Sequence, residues 1–364
     1  MVNKFLIQAV AGAGKTHEIV QRLNLSERNL IISFTNSNIS NIKSEMRSQH
    51  DKIPENTKIL TFSSFIYRWL IHPYEPSIIL ENKNKDFISA GVDTGTKPVE
   101  NQSGYTPGYV KDNNLYHYVN PKNHRYYASR MSKLLVKQKV TVIKKILFKL
   151  SLFFDNIYID EIQDFRGNDF RLLCLIYNYF NNNLVGVGDF YQHSVQKSDF
   201  RDNFPFQDRN KQFISLETYV KKFGTKVKLI DDQLIYSRRV PECVCEQIRK
   251  KLRINIFSKK EEGMFKVIDN VTELREVLSS PNLVGLIWNK KVKNQFNISN
   301  TWSACKGDTY ENTCIVLTET LSSFVEDTFN CDNLSQESLN KLYVALTRAT
   351  GNVYIVQKSI YDAI

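Results

Sequence analysis

The sequence predicts an α/β protein with two domains built on parallel sheets and with little or no large insertion. Three observations predict it. The apolar strand FLIQAV (5–10) runs into a glycine-rich loop that opens a helix, and the apolar strand NIYI (156–159) runs into the acids Asp160 and Glu161. Further predicted strands alternate with helices at Leu283–Trp288, Thr313–Leu317 and Val353–Val356. Such alternation is typical of parallel sheets, whose ligands bind at the carboxyl edge.

Length and composition indicate a soluble globular protein. The chain has 364 residues, enough for two hydrophobic cores, and 42% of them are hydrophobic. Its six cysteines lack zinc-ligand spacing, which favours reduced thiols and a cytoplasmic location. No apolar run approaches the roughly 18 residues of a membrane span. The first strand begins almost at once, so we expect neither a membrane span nor a signal peptide.

Charge predicts an anionic partner, for which nucleic acid is the usual candidate. The formal net charge is +11, and the basic segment, Pro121 to Leu150, holds nine Lys or Arg residues and no acid. In its second half Val136, Val140, Ile143, Leu147 and Leu150 recur at helical spacing, which predicts a helix that is apolar on one face and basic on the other. This helix is the candidate for holding nucleic-acid phosphates, and the alternative is a solvated basic face.

A phosphate-binding loop follows the first strand. The stretch AVAGAGKT (9–16) fits the pattern G-x-x-x-x-G-K-[ST], with alanine in the first position. The glycines let backbone N–H groups surround phosphate oxygens, the lysine reaches the β- and γ-phosphates, and the threonine hydroxyl binds magnesium. The residues of this predicted nucleotide site are Gly12, Ala13, Gly14, Lys15, Thr16 and His17.

Two further strands deliver polar side chains to the same predicted sheet edge. After NIYI, Asp160 suits a magnesium ion and Glu161 suits the activation of a water molecule. After the buried strand Leu184 to Gly188, Asp189 and Gln192 arrive at that edge. A glutamine there can sense the γ-phosphate and pass its presence to a bound ligand or neighbouring domain.

Eight segments now identify a family resemblance. In chain order they are AVAGAGKT, SFTNSNISNIKSEM, TFSSFIYRWL, DEIQD, VGDFYQ, IYSRRVPECVCEQI, WSACKGDTYENTCIVL and KLYVALTRAT. Their order and the closing YVALTRA resemble the UvrD/Rep branch of superfamily 1 helicases. Only Ile71–Leu150 and Lys251–Asn282 lie outside the match. The resemblance implies two RecA-like P-loop NTPase domains, ATP and Mg²⁺ in the cleft between them, and single-stranded DNA crossing both.

The resemblance also implies residue roles. Lys15 and Thr16 would bind phosphate and magnesium, Asp160 magnesium, and Glu161 would be the catalytic base. Gln192 would couple the γ-phosphate to DNA, Arg348 would be the arginine finger, and either Arg238 or Arg239 would be its partner. Tyr236 would stack on the nucleotide base, Gln8 is the nearest substitute for the adenine-reading glutamine, and Gly307 of the fifth motif would border the nucleotide. The implied nucleic-acid contacts are Thr35, Asn36, Thr61, Phe62, Ser63, Trp302 and Ser303, with Lys133, Lys137 and Lys144 from the basic segment.

Domain limits and function complete the expectations. We expect a first RecA-like domain at 1–212, with a basic insert at about 71–150, and a second at 213–364. The leading hypothesis is a helicase or translocase stimulated by single-stranded DNA, with 3′ to 5′ polarity, that binds strands and strand junctions without a membrane. The alternative is a DNA-dependent ATPase subunit that works with a nuclease or sensor protein in phage defence and unwinds weakly alone. A scaffold without hydrolysis is disfavoured, because every phosphate-side residue is intact.

Overall fold

The computed structural model describes residues 2–78, 87–101, 106–193, 204–208, 210 and 212–364. The chain divides into two compact units. Unit 1 comprises Met1–Leu6, Thr16–Val187 and Phe204–Leu229, and unit 2 comprises Ile7–Lys15, Gly188–Asn203 and Ile230–Ile364. Within the described ranges, none of the helices combines the length and the apolar character that a bilayer crossing requires.

Strands and helices alternate along most of the chain. The strands are β1 (Lys4–Ala9), β2 (Asn29–Ser33), β3 (Thr57–Thr61), β4 (Val92–Asp93), β5 (Val119–Asn120), β6 (Arg125–Tyr127), β7 (Asn156–Ile159), β8 (Asn183–Gly188), β9 (Lys228–Leu234), β10 (Tyr236–Ser237), β11 (Phe257–Ser258), β12 (Phe265–Ile268), β13 (Leu283–Ile287), β14 (Ser299–Thr301), β15 (Asn312–Val316) and β16 (Val353–Val356). The α-helices are α1 (Lys15–Gln21), α2 (Asn36–His50), α3 (Phe62–Phe65), α4 (Ala128–Val136), α5 (Val140–Ser151), α6 (Gly167–Tyr179), α7 (Leu216–Lys221), α8 (Glu242–Leu252), α9 (Val271–Leu278), α10 (Gln336–Leu346) and α11 (Lys358–Tyr361).

The first sheet carries the strands that deliver the predicted catalytic residues. Its order is β3-β2-β7-β8-β1-β9, and the pairs β2–β3, β2–β7 and β7–β8 are parallel. Strands β2 and β7 are buried along their whole length, as expected for a parallel sheet covered on both faces. The carboxyl ends of these strands therefore share one edge, where polar residues can meet a ligand.

The region between β3 and β7 contains a small sheet of order β4-β6-β5, with strands of only two or three residues. Asp93 stabilises it, because its carboxylate accepts hydrogen bonds from the backbone N–H of Thr96 (2.9 Å) and from the side-chain amides of Asn120 (2.9 Å) and Asn123 (3.1 Å). These donors, the Thr96 backbone first, hold the pKa of Asp93 well below its usual range. A buried carboxylate satisfied in this way is a structural anchor.

The basic segment forms two helices, so the predicted single amphipathic helix was wrong in its extent. Helix α4 ends at Val136, and Lys139 has an extended backbone before α5 begins at Val140. The apolar pattern itself holds, because Ile143 and Leu147 are buried in α5, whereas Val140 is exposed in its first turn.

Unit 2 holds a five-stranded sheet of order β12-β16-β15-β13-β14, in which all four neighbouring pairs are parallel. Gly285 in β13 has to be glycine, because a Cβ atom there would lie 2.0 Å from the Phe296 ring. The apolar residues around Phe296 include Leu274, Cys314 and Tyr361 and form the core on one side of this sheet. The predicted α/β class with parallel sheets is confirmed, and the predicted boundary at residue 212 stays a prediction.

Candidate functional site

The phosphate loop lies against the loop that follows β10 in unit 2. Gly12 and Gly14 have positive φ angles of 75° and 89°, a conformation that glycine adopts without strain. A Cβ atom on Gly12 would lie 2.7 Å from Ser237 Oγ and 3.3 Å from Arg239 Nε. The backbone N–H of Arg238 donates a hydrogen bond to the Gly12 carbonyl at 2.9 Å. Glycine at position 12 therefore serves both the turn of the loop and its close approach to Ser237 and Arg239.

The two acids follow β7 in unit 1, as the sequence predicted. Asp160 is only 3% exposed, and the Ser33 hydroxyl at the end of β2 donates to its Oδ2 at 3.1 Å. Glu161 has a φ of 51°, a left-handed conformation that costs a non-glycine residue about 1 kcal/mol or more. The Gln163 amide donates to Glu161 Oε2. Strain at a residue whose side chain is held by a neighbour is typical of catalytic positions.

The predicted magnesium ligands fit that ion by their chemistry. Thr16 and Asp160 both belong to unit 1 and offer a hydroxyl and a buried carboxylate. Hard oxygen ligands of this kind, one or two from the protein, suit magnesium, which completes its shell with water and substrate phosphates. In the part of the chain that the structure describes, no group of three or more His, Cys, Asp or Glu residues forms a larger metal cluster.

Gln192 belongs to a buried hydrogen-bond network in unit 2. Its side chain is 4% exposed, and Nε2 donates to Asp189 Oδ2 at 2.8 Å. The Tyr343 hydroxyl donates to the same oxygen at 3.0 Å and accepts a hydrogen bond from the backbone N–H of Ala11 at 2.9 Å. The loop that carries Gln192 is thus connected, through Asp189 and Tyr343, to the phosphate loop.

Two arginines converge on one backbone carbonyl in unit 2. Arg239 Nη1 and Arg348 Nη1 donate to the Asp308 carbonyl oxygen at 3.1 Å and 3.3 Å, and Arg239 Nη1 also donates to Thr309 Oγ1 at 3.0 Å. We call Arg239 and Arg348 the arginine pair. Arg348, which follows the end of α10, is 2% exposed and so is not a surface arginine, whereas the side chain of Arg238 is exposed. Of the two candidates for the partner arginine, the geometry favours Arg239.

Of the other residues predicted to bind nucleotide, one makes different contacts and the rest stay predictions. Gln8 was assigned to adenine, and the structure contradicts that assignment. Its buried side chain accepts from the Phe190 backbone N–H (3.0 Å) and donates to the Ala9 carbonyl (2.9 Å), so it stabilises the Asp189 loop. Tyr236 is half exposed beside Phe257, which leaves its stacking role a prediction. The predicted nucleotide contacts of Ala13, Lys15, His17 and Gly307 also stay predictions. His17 contacts Glu45, and Gly307 has a φ of 97°.

The predicted nucleic-acid contacts of unit 1 lie at the starts of the helices that follow β2 and β3. Thr35 and Thr61 are the N-caps of α2 and α3, and their hydroxyls accept from the backbone N–H groups of Asn38 and Ser64. Asn36 and Ser63 occupy the first turns of these helices and stay predicted contacts. Phe62 is buried and packs edge-on against Phe165, which favours a core role for its ring.

Trp302 was predicted to contact nucleic acid, and this was wrong. The indole is completely buried, and its Nε1 donates to the Leu286 carbonyl at 3.0 Å, so it packs within unit 2. Its neighbour Ser303 is partly exposed and stays a predicted contact.

The lysines of the basic segment have partners within unit 1. Lys133 and Lys137 pair with Asp112 at 3.1 Å and 2.7 Å, and Lys144 Nζ lies 5.0 Å from the centre of the Tyr179 ring. Hydrogen bonding, chiefly from Lys137, lowers the pKa of Asp112 to about 2. These contacts give Lys133 and Lys137 a structural role, and their contact with nucleic acid stays a prediction.

Sequence reasoning missed a pocket at the carboxyl edge of the second sheet. This edge pocket has a volume of about 590 Å³, and Trp288, Lys291 and Thr318 are among its lining residues. They follow the ends of β13 and β15, where ligands of parallel sheets bind. A tryptophan and two lysines directly after a buried strand, in WNKK (288–291), were the signal in the sequence.

Comparisons with solved structures find similar helicases. The crystal structure of arterivirus nonstructural protein 10 (helicase) has 11% identity and a TM-score of 0.46, with 97% of this chain and 59% of that chain covered. The PRRSV helicase has 13% identity and a TM-score of 0.45, covering 98% and 52%. The complex of arterivirus nonstructural protein 10 (helicase) with DNA has 11% identity and a TM-score of 0.47, covering 98% and 61%. The chain thus spans about half to three fifths of these proteins.

The comparison with protein families gives a match to more than half of the chain. A comparison with curated proteins found no match. The family model described as viral superfamily 1 RNA helicase core domain matches residues 135–357, from the end of α4 to the last strand. This range contains the acid motif, Gln192 and the arginine pair, and it confirms the superfamily that the motifs indicated. The chain therefore belongs to the viral superfamily 1 RNA helicase core domain family, a class of NTP-hydrolysing enzymes.

Proposed function

We propose that the chain hydrolyses ATP to move along single-stranded nucleic acid and to separate duplex strands. The observation that carries this proposal is the convergence in unit 2 of the phosphate loop with the arginine pair. Arg239 lies against Gly12, and Arg348 shares the Asp308 carbonyl with Arg239. A carbonyl is a neutral acceptor, so charged phosphate oxygens compete well for both guanidinium groups.

Each residue has a distinct task in hydrolysis. Lys15 and the backbone N–H groups of the phosphate loop hold the phosphates. Thr16 and Asp160 would hold magnesium, which would supply positive charge against the phosphates. Glu161, restrained by Gln163, orients and deprotonates the attacking water. The arginine pair stabilises the charge that develops on the transferred phosphoryl group, a contribution of about 10³ to 10⁵ in rate.

Single-stranded nucleic acid is proposed as the substrate from the motif order, the net charge and two sets of side chains. Thr35, Asn36 and Ser63 follow the carboxyl ends of β2 and β3, and Trp288 and Lys291 follow β13. Aromatic rings that stack bases, together with basic groups along a backbone, are typical of single-strand binding. The resemblance to the UvrD/Rep branch favours DNA and 3′ to 5′ movement, whereas the family description names RNA helicases. Both nucleic acids therefore belong in the test.

The experiment is ATP hydrolysis by the purified chain without nucleic acid and with oligo(dT), oligo(U) and duplex DNA. We expect strong stimulation by a single strand, and Lys15→Ala provides the blank. Glu161→Gln should lower turnover by about 10² to 10⁴ while nucleotide binding persists, because the amide cannot accept the proton. Equal turnover in the wild type and Lys15→Ala would refute hydrolysis at this site. Turnover indifferent to every nucleic acid would refute the translocase.

A second candidate is an ATPase subunit that depends on a nuclease or sensor protein for unwinding, as in a phage-defence complex. The observation that favours it is the small sheet between β3 and β7, whose strands β4, β5 and β6 have only two or three residues. Vigorous strand displacement by the isolated chain on a tailed duplex would refute this candidate. ATP turnover that is stimulated by single-stranded nucleic acid, without displacement of the duplex strand, would favour this candidate over the leading proposal.

A further inference from the structure

Among the residues that the structure describes, the Tyr343 hydroxyl makes two hydrogen bonds, and both partners belong to loops of the proposed catalytic machinery. The side chain is completely buried on α10. The backbone N–H of Ala11 in the phosphate loop donates to the hydroxyl at 2.9 Å. The hydroxyl in turn donates to Asp189 Oδ2 at 3.0 Å. A single oxygen therefore acts as acceptor for one loop and donor to the other.

The Asp189 carboxylate connects Tyr343 with Gln192. Gln192 Nε2 donates to Oδ2 at 2.8 Å, the same oxygen that Tyr343 uses, and the Tyr191 backbone N–H donates to Oδ1 at 3.1 Å. Because Asp189 is completely buried, its charge depends on these donors. Displacing the Tyr343 hydroxyl would therefore alter the position of Gln192.

The helix of Tyr343 also leads directly to the arginine pair. Thr347 Oγ1 donates to the Tyr343 carbonyl at 2.9 Å, and Arg348 Nη2 donates to Thr347 Oγ1 at 3.1 Å. Arg348 Nε donates to the carbonyl of Val344, one residue after Tyr343, at 2.9 Å. The backbone that orients Arg348 is thus the backbone that carries Tyr343.

We propose that Tyr343 is a positioning residue that holds the phosphate loop, the Gln192 loop and Arg348 in one arrangement, and so couples strand binding to hydrolysis. This inference rests on the proposed function. The hydroxyl is essential because a phenyl ring of the same shape can neither accept from Ala11 nor donate to Asp189. Burial and the nearby Asp189 charge raise the Tyr343 pKa well above its ordinary value, so the hydroxyl keeps the proton that it donates.

Tyr343→Phe tests the inference, with Tyr361→Phe as its matched control. Tyr361 is also completely buried in unit 2, and its hydroxyl likewise accepts from a backbone N–H (Gln295, 2.8 Å) and donates to a carbonyl (Lys293, 3.0 Å). We expect both variants to lose similar unfolding stability. Only Tyr343→Phe should lower the strand-stimulated kcat, by about 10- to 100-fold, while KM for ATP changes less than about threefold. A wild-type kcat in Tyr343→Phe overturns the inference.

A double-mutant cycle separates positioning from general destabilisation. If Tyr343 acts through Gln192, then Tyr343→Phe should add little to the kcat loss of Gln192→Ala, whereas independent effects multiply. Multiplying effects would overturn the proposed route. If Tyr343→Phe does not fold, Asp189→Asn replaces it as the test variant. The asparagine keeps an oxygen that can accept from the tyrosine but removes the charge that Tyr343 and Gln192 share. An unchanged kcat in Asp189→Asn would again overturn the inference. Failure of the proposed function is distinguishable, because it appears as wild-type turnover equal to that of Lys15→Ala.

Discussion

The phosphate-loop neighbourhood of unit 2 and the basic segment of unit 1 use polar side chains in opposite ways. Around the phosphate loop, Gln192, Asp189, Tyr343 and Arg348 are buried and hydrogen-bonded to one another or to backbone carbonyls. In the basic segment, partly exposed and exposed lysines share one acid, Asp112. Buried polar groups are costly unless each has a partner. In the first region each buried polar group thus depends on its partners, whereas the lysines of the second region form ion pairs at the surface.

The comparison teaches which sequence signals carry information about function. A phosphate loop needs glycine at fixed positions because the backbone turns and approaches other atoms closely there, as at Gly12. A run of lysines has no such requirement, because its charge can be neutralised by a residue distant in sequence. Asp112 is such a residue, because it precedes Lys133 by 21 residues and Lys137 by 25 residues and pairs with both.

The largest effect that tests the comparison is expected at Arg348. Arg348→Ala should lower kcat by about 10³-fold or more, because the transition state loses a cation and no solvent group replaces it. Arg348→Lys should recover little, since lysine lacks the planar set of donors. Arg238→Ala is the matched control, because that exposed side chain lies next to Arg239 in sequence. Single-turnover hydrolysis checks this, and equal losses for Arg348→Ala and Arg238→Ala would contradict it.

The next effect is expected at the edge pocket. Trp288→Ala should weaken binding of oligo(dT) or oligo(U) about tenfold, since a stacked base contributes about 1–3 kcal/mol, and Trp288→Phe should retain most of the affinity. Stacking involves no counterion release, so the salt dependence of binding should keep its slope. Fluorescence anisotropy at several salt concentrations measures both quantities. Unchanged affinity in Trp288→Ala would remove the edge pocket from the strand-binding surface.

The sequence predicted the motif residues far better than their surroundings. Asp160, Glu161 and Gln192 follow buried strands, as the apolar patterns required, because strand burial is a local property of the sequence. Trp302 was misread because a single sequence does not show whether a tryptophan in a motif faces solvent or, as here, donates to the Leu286 carbonyl. The link from Tyr343 to Ala11 spans 332 residues, and no pattern in a single sequence encodes such a pairing.

The Asp169 carboxylate on α6, which packs against the basic segment, offers a further comparison with the Asp189 carboxylate. Asp189 in unit 2 receives several donors, whereas Asp169 at the contact of α4 with α6 receives the Ser132 hydroxyl, and burial raises its pKa from 3.8 to about 6. A raised pKa means that the folded state binds the proton more tightly than the unfolded state. The free energy of unfolding should therefore fall as pH rises from about 4 to 6, by on the order of 1 to 2 kcal/mol given partial solvent screening.

Asp169→Asn is the variant that checks this assignment. The amide oxygen still accepts from Ser132, and the charge is gone, so the pH dependence between about 4 and 6 should flatten. Urea unfolding across that range measures it, and Asp155→Asn is the control, because its pKa is lowered by Arg28. That control should instead lose stability above its unfolded-state pKa. A pH dependence in Asp169→Asn equal to that of the wild type would assign the titration to another group.

The smallest effect concerns the lysines of the basic segment, and it decides whether they belong to the strand-binding surface. Because Lys133 and Lys137 already pair with Asp112, we expect Lys144→Ala to lower the slope of log affinity against log salt by about one, and Lys133→Ala to change it less. Asp112→Asn should raise strand affinity by releasing both lysines from their ion pairs. Equal slope decreases of about one for Lys133→Ala and Lys144→Ala would mean that phosphate displaces Asp112 on binding, so that Lys133 also contacts the nucleic acid. An unchanged slope in both variants would remove these lysines from the nucleic-acid-binding surface.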